Sequence, residues 1–341
     1  MKTILVTGGA GFIGSNFVKY ILKKYSDYKV IILDALTYAG NLDNFPKCLK
    51  NNSRLVFWQG SIRNSDLVNE LVSQSDIVVH LAAETHVARS IYDDTTFFET
   101  DVLGTQTIAN AVVKHHVEKF IHISSSEVYG TALASEMDED HPLMPTTPYA
   151  SAKAGADRLV YSYFISYDIP AVIVRPFNNY GPYQHLEKVI PRFITNAILN
   201  EPIIVHGDGS NSRDWLFVQD HCMAIDKIIH TNTEKIKGMV INLGTGRDIN
   251  IVNIAQTILK KMPQSHSNIQ FIDDRPGQVK RHTSSIQKAG HLLDWKAETG
   301  FEKGIEETIG WYTENQDWWE KLLWMRSIPI KTTNGKRTFY Y

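Results

Sequence analysis

Two short stretches of this 341-residue chain carry side chains able to move protons. One is Ser125-Ser126-Glu127-Val128-Tyr129-Gly130, and the other is Tyr149-Ala150-Ser151-Ala152-Lys153. A tyrosine and a lysine four apart share one face of a helix. The ammonium of Lys153 can then lower the phenol pKa of Tyr149, so that the phenolate takes a proton from a substrate hydroxyl. Alone, a Tyr-x-x-x-Lys spacing is a common surface pair. It gains meaning here from the serine-rich segment before it and from a second motif near the N-terminus.

That motif is Thr7-Gly8-Gly9-Ala10-Gly11-Phe12-Ile13-Gly14, with glycines spaced G-x-x-G-x-x-G. Gly8 permits a tight turn, Gly11 lets the backbone approach a pyrophosphate, and Gly14 lets the next helix pack closely on the strand. The backbone N–H groups around Phe12 and Ile13 then open a helix whose positive dipole end suits phosphate. Asp34 closes the second strand, where a carboxylate accepts from both hydroxyls of an adenosine ribose and repels a 2′-phosphate. The pattern therefore predicts NAD rather than NADP. Ser61 and Ile62 follow the third strand, where the adenine edge should lie. Leu81, Ala82 and Ala83 follow the fourth and should pass beside the pyrophosphate. With such a cofactor in place, Lys153 can also hold the nicotinamide ribose while Tyr149 deprotonates a hydroxyl whose carbon loses hydride.

These residues need elements to position them. β-rich runs at 3–6, 29–33, 55–58, 77–81, 120–124 and 171–175 alternate with helical patterns at 13–24, 64–73, 97–113 and 149–167. Most of the runs are continuously apolar, as expected of parallel strands covered on both faces. The alternation predicts an α/β fold with a Rossmann-type doubly wound parallel sheet. After about residue 175 proline and glycine cluster, and strands become short and isolated, as at 203–206 and 240–243. The expected division is a mainly NAD-binding domain over 1–175 and a smaller C-terminal substrate lobe over 176–341, with segments returning to the sheet. An aromatic tail, from Trp311 to Tyr341, is expected to pack on that lobe's own core.

Composition narrows the function classes. Apolar residues make up 43% of the chain and the formal net charge is −2. No basic footprint for nucleic acid or for an anionic membrane is present, so an anionic ligand must be held by local cations. Cys48 and Cys222 form neither a disulfide framework nor a metal spacing. No apolar run has the length of a signal-peptide core or a membrane span, and the expected location is the cytoplasm.

The chain resembles, over essentially its whole length, the extended short-chain dehydrogenases/reductases of the sugar-nucleotide branch, and within it the dTDP-glucose 4,6-dehydratase group. The resemblance rests on 34–42 (Asp-Ala-Leu-Thr-Tyr-Ala-Gly-Asn-Leu), 80–87 (His-Leu-Ala-Ala-Glu-Thr-His-Val), Asn178-Asn179-Tyr180-Gly181-Pro182, Glu187-Lys188-Val189-Ile190-Pro191, Arg213-Asp214-Trp215-Leu216 and Asp274-Arg275-Pro276-Gly277. It implies oxidation at C4 of a nucleotide-linked hexose, loss of water across C5–C6 and hydride return to C6. It gives Glu127 the part of C5 base and Ser125 that of hydrogen-bonding the C4 oxygen. It puts Thr85, Asn178, Lys188, Arg213 and Arg275 on the sugar-nucleotide side, with Arg281 a further cation. It implies a homodimer built on a four-helix contact. The chain departs from the group where Asp-Glu is usual and Ser126-Glu127 stands, because the aspartate is the acid for the leaving hydroxyl. A hydroxyl relays a proton but is a poor acid. Milder departures are Ser61 and Ala88 where aspartates are usual, and Asp101 where an asparagine is usual. Decarboxylation of UDP-glucuronate and C4 epimerisation stay open as chemistries on the same scaffold, as does a non-catalytic NAD-binding role.

Overall fold

The computed structural model describes residues 1–46, 51–274 and 277–326, and the backbone of 328–331 and 337–340. The first strands and helices follow the expected alternation: β1 (Lys2–Thr7), α1 (Phe12–Lys24), β2 (Tyr28–Asp34), β3 (Leu55–Gln59), α2 (Ser65–Ser73), β4 (Ile77–His80). Then come α3 (Thr105–His115), β5 (Lys119–Ile123), α4 (Pro148–Tyr167) and β6 (Ala171–Pro176). The second half contributes β7 (Asn178–Tyr180), α5 (Val189–Leu199), β8 (Ile203–His206), β9 (Ser212–Phe217), α6 (Val218–His230), β10 (Val240–Leu243), β11 (Asp248–Asn250), α7 (Ile251–Lys261), β12 (Ile269–Ile272) and α8 (Phe301–Glu314).

Seven strands form one sheet in the order β10-β6-β5-β4-β1-β2-β3, and every pairing in it is parallel. Alternate side chains of each strand face opposite layers. Ile4, Val6, Val30, Ile32, Val79 and Ile121 pack with Phe17, Ile21, Cys222 and Ile225 of α1 and α6. Leu5, Ile31, Val78, Phe120 and Ile173 pack with Leu71, Ile108, Val112 and Val160 of α2, α3 and α4. Both faces are thus covered, which is why the strands read as unbroken apolar runs. Strand order reverses between β1 and β4, and at the carboxyl ends of these strands such a sheet leaves a crevice.

Two expectations need correction. Residues 240–243 are not an isolated strand. They form the sheet edge, with Val240 opposite Ile173 and Leu243 opposite Pro176. Residues 203–206 are likewise paired, running parallel to β12. The single helix expected over 97–113 is in three parts: one turn at Asp94–Phe97, a π-helix at Phe98–Gly104, and α3. A π-turn leaves no mark in apolar spacing, because it widens the ring without changing which residues are apolar. A separate core gathers Phe193, Trp215, Phe217, Ile254, Tyr312 and Trp319. It takes in Trp311, Tyr312, Trp318 and Trp319 of the aromatic tail; Trp324, against expectation, is 73% exposed, and Tyr340 and Tyr341 have no described side chains.

Candidate active site

The loop after β1 is tight for reasons its glycines explain. Gly8 has φ +68°, and a Cβ there would lie 2.7 Å from the Cα and N of Ala82. A Cβ on Gly14 would collide with the Gly8 carbonyl and stand 2.7 Å from the Gly9 Cα. Helix α1 starts at Phe12 after the N-cap Gly11, with no side-chain cap on its first amides, so these N–H groups and the dipole end face the cleft unclaimed by a capping side chain. A buried chain of hydrogen bonds holds the loop to its neighbours. Thr7 Oγ1 accepts from the Ala82 amide at 3.2 Å and meets His80 Nδ1 at 2.6 Å; His80 Nε2 meets Thr105 Oγ1 at 3.0 Å, and that hydroxyl donates to the Asp101 carbonyl. Burial and the Lys153 charge push His80 down to about 3, so the ring is neutral and serves as a strut.

Asp34 ends β2 with Oδ2 accepting from the Ala10 amide at 2.9 Å and Oδ1 from the Leu36 amide at 2.8 Å. Burial raises its pKa, and those two amides pull it back. A Cβ on Gly40 would sit 2.7 Å from Oδ1, so the chain wraps closely round this carboxylate. The glycine cradle, the uncapped helix start and the acid at the end of β2 fit a dinucleotide whose pyrophosphate lies on α1 and whose ribose meets Asp34.

The proton-moving residues come from β5, the turn after it and α4. Ser124 Oγ donates to Asp157 at 2.8 Å, and Asp157 takes both a 2.8 Å and a 2.9 Å bond from Arg175 on β6. Arg175 also reaches the Tyr129 hydroxyl at 3.0 Å. This buried network locks β5, β6, α4 and the turn together, and so sets where Ser125 stands relative to Tyr149. The Ser125 hydroxyl lies beside the Tyr149 phenol and accepts from the Glu127 amide at 3.2 Å. Burial drives that phenol well up and Ser125 pulls it down. The downward pull expected from Lys153 has a different source here, because the Lys153 ammonium donates to the Ile123 carbonyl at 2.8 Å and feels the charge of Asp101. Asp101 lies in the π-helix with Oδ1 accepting from the Glu84 amide at 2.8 Å, and burial lifts it to about 7.

A cleft of about 620 Å³ brings these parts together. Gly8, Gly11, Phe12, Ile13, Gly14, Asp34, Ser61, Ile62, Leu81, Ala82 and Ala83 line it together with Ser125, Ser126, Glu127, Tyr149 and Lys153 and with Thr85, Asn178 and Lys188. Arg213 lines an adjoining recess of about 210 Å³, which shares Glu127, Asn178 and Lys188 with the cleft. Arg275 lies outside the described residues, as does Cys48. Arg281 borders neither space; its guanidinium holds the carbonyls of Ala134 and Ser135. Among the residues that escaped the sequence analysis, two bear directly on the site. Arg192 lines the recess one turn beyond Lys188, a position that i, i+4 spacing would have flagged. His282 stands 3.4 Å from Ser126, and no local pattern points to it. No group of histidine, cysteine or acidic residues able to hold a metal ion occurs among the described residues, and no helix among them is long and apolar enough to cross a membrane.

Chemically, a buried phenol beside a serine, a nearby ammonium and a partly exposed carboxylate share one cavity with a dinucleotide cradle. That set can oxidise a hydroxyl and then remove a neighbouring carbon-bound proton. Comparison with known proteins agrees. The family model described as GDP-mannose 4,6 dehydratase matches residues 5–308. The low-salt glycan biosynthesis protein Agl12 of Haloferax volcanii is 44% identical over 91% of this chain and 98% of its own. A dTDP-glucose 4,6-dehydratase of Streptomyces niveus is 40% identical over 94% of this chain and 95% of its own. The crystal structure of dTDP-glucose 4,6-dehydratase from Bacillus anthracis in complex with NAD superposes with a TM-score of 0.86 at 37% identity, covering 94% of this chain and all of that one.

Proposed function

The chain belongs to the GDP-mannose 4,6 dehydratase family, and from that premise we propose that it is an NAD-dependent nucleoside-diphosphate-sugar 4,6-dehydratase, a hydro-lyase that turns a nucleotide-linked hexose into its 4-keto-6-deoxy form. The observation that carries this reading is the meeting of Glu127 with the Ser125–Tyr149–Lys153 group in one cleft beside the dinucleotide cradle. Simple epimerisation at C4 needs no base at C5, whereas dehydration does.

NAD, when bound, supplies the acceptor for the C4 hydride and the donor that returns it at C6. Everything else falls to the chain. Tyr149 takes the C4 hydroxyl proton, with Ser125 holding the same oxygen. The buried Lys153 ammonium steadies the ribose side, and Ser125 offsets part of the burial that makes the phenol reluctant to ionise. Once C4 is a ketone the C5 proton is acidic, and Glu127 removes it. The C6 oxygen then leaves beside Ser126. Lys188, Arg192 and Arg213 supply cations for the diphosphate, and Thr85 and Asn178 polar contacts for the sugar nucleotide.

Leu103 on the π-helix and Tyr161 and Ile165 on α4 are exposed apolar side chains on adjacent helices, which supports a homodimer paired through these helices. Substrate and cofactor are both metabolites of the cell interior, which supports a cytoplasmic location.

A panel of dTDP-, UDP-, GDP- and CDP-hexoses in heavy water tests the function. One of them should yield a 4-keto-6-deoxy product carrying deuterium at C5. Carbon dioxide from UDP-glucuronate, a C4 epimer alone, or no turnover with any member would overturn it.

A further inference from the structure

Ser126 stands where the elimination needs an acid, and a serine hydroxyl does not ionise in the range of a useful general acid. The structure backs it with a buried imidazole. His282 has no solvent exposure. Its Nε2 lies 2.7 Å from the Gly130 carbonyl. A carbonyl only accepts, so Nε2 carries the hydrogen and Nδ1 is the basic nitrogen of the neutral ring. Nδ1 faces the Ser126 hydroxyl at 3.4 Å and the Glu127 carboxylate at 3.9 Å. The tautomer is therefore set so that the one nitrogen able to take a proton looks at both members of the elimination pair.

The ring is held in this pose from several sides. Gly130 adopts φ +70°, which turns its carbonyl within reach of Nε2. The His282 amide donates to the Ser212 carbonyl at 3.1 Å, while Ala132 and Met137 donate to the carbonyls of Arg281 and Thr283 at 3.0 and 2.8 Å. Phe177 meets the imidazole edge to face at 6.0 Å. These contacts fix the ring orientation as a carboxylate or carbonyl fixes a metal-bound or catalytic histidine elsewhere.

We infer that His282 is a positioning residue that shuttles one proton between Glu127 and Ser126, carrying the hydrogen removed from C5 to the departing C6 oxygen. The inference rests on the dehydratase reading above. The steps balance without an outside acid. Glu127 breaks the C5–H bond and holds its proton, leaving an enolate conjugated to the C4 ketone. The proton passes from Glu127 to Nδ1, giving an imidazolium whose Nε2–H stays on Gly130. Nδ1–H then donates to the Ser126 oxygen as the Ser126 hydroxyl donates to the C6 oxygen. The C6–O bond breaks, C5=C6 forms and water departs. Glu127 ends as a carboxylate and His282 as a neutral ring. Separations of 3.4 and 3.9 Å are those of a site awaiting substrate, in which such bonds commonly tighten on binding.

The charge setting suits a transient carrier. Burial, Arg213 and His141 disfavour the imidazolium, and Glu127 and the Gly130 carbonyl favour it, leaving His282 at about 4. At neutral pH the ring rests unprotonated, and once protonated it gives the proton up readily.

His282→Gln keeps an N–H that can reach the Gly130 carbonyl and removes the transferable proton. Wild type must first form 4-keto-6-deoxy product from the matched hexose nucleotide; if it does not, the dehydratase reading fails and the relay has not been reached. Given that product, H282Q should lose about 10²-fold or more in product formation. It should still build up bound NADH in a single turnover and still wash deuterium into C5. The S126A/H282Q double variant should be no slower than the slower single variant, as expected of groups acting as one unit. A 6-deoxy-6-fluoro substrate, whose fluoride needs less protonation to leave, should narrow the gap between H282Q and wild type. Wild-type elimination by H282Q overturns the inference. So does a loss that falls equally on NADH formation and C5 exchange and is not narrowed by the fluoro substrate, because that is the pattern of a purely structural histidine.

Discussion

At the scale of single residues, the expected preference for NAD over NADP rests on one carboxylate. Asp34 is nearly buried, bonded to two backbone amides and wrapped by Gly40, whose absent Cβ would stand 2.7 Å from Oδ1. A 2′-phosphate placed there would meet a like charge at close range with little room to move aside. Even at a high effective dielectric, such an approach costs on the order of 1.4 kcal/mol or more, which is about tenfold in affinity. NAD should therefore bind cofactor-free protein at least about tenfold more tightly than NADP in a calorimetric titration. Equal affinities would remove Asp34 from the part assigned to it.

At the scale of elements, the geometry of the site depends on how β5, β6 and α4 are fastened. The tie is Asp157, on α4, holding Ser124 from the end of β5 and Arg175 from β6. The Asp157 and Arg175 side chains are 0% and 2% exposed. Burial raises the Asp157 carboxyl, but Arg175, Arg158 and Ser124 together hold it below the usual carboxylate range. Breaking one side of such a pair leaves an uncompensated buried charge, at a cost of about 3–5 kcal/mol. Asp157→Asn should lose stability on that order in chemical denaturation and lose turnover as well, although Asp157 lines neither the cleft nor the recess. A change below about 1 kcal/mol would show that packing alone aligns Ser125 with Tyr149.

At the scale of the whole molecule, buried histidines govern the response to acid. His80, His86 and His221 are pushed down to about 3 and His282 to about 4, with His122 and His185 lowered as well, each mainly by burial. In the unfolded chain each takes a proton near 6.5. Below that pH the unfolded state binds more protons than the folded one, so stability falls with pH by up to about 1.4 kcal/mol per unit for each histidine. The loss continues until the folded rings protonate, near 3 for the most buried. Asp34, Glu84, Asp101 and Asp214 are raised by burial and act in the opposite sense. With six groups against four, and only Asp101 raised to about 7, the histidines prevail below pH 6.5. Unfolding free energy should accordingly drop steeply from pH 6.5 to pH 5 in urea titrations. A flat profile over that interval would show that these rings find water or partners on protonation.

The sequence by itself determined the parts of this protein whose physics is local. A glycine turn, an apolar strand and a helix start must be neighbours in the chain to cradle a pyrophosphate, so Gly8 to Gly14 announce themselves by spacing. Tyr149 and Lys153 share a helix face by periodicity, and parallel strands covered on both sides read as unbroken apolar runs. Resemblance extended the reading to Glu127, Lys188 and Arg213, which border the cleft or its recess. What remained for the tertiary structure depends on contacts between distant segments. Residues 240–243 carry too short a pattern to reveal that they finish the sheet beside β6. The π-turn at Phe98–Gly104 changes a hydrogen-bond ring and leaves the apolar spacing untouched. His282 lies 156 positions from Ser126 and reaches it only because β9 and the loop after Gly130 clamp its backbone. Its tautomer is settled by the Gly130 carbonyl, and no one-dimensional pattern records which carbonyl a ring nitrogen will meet.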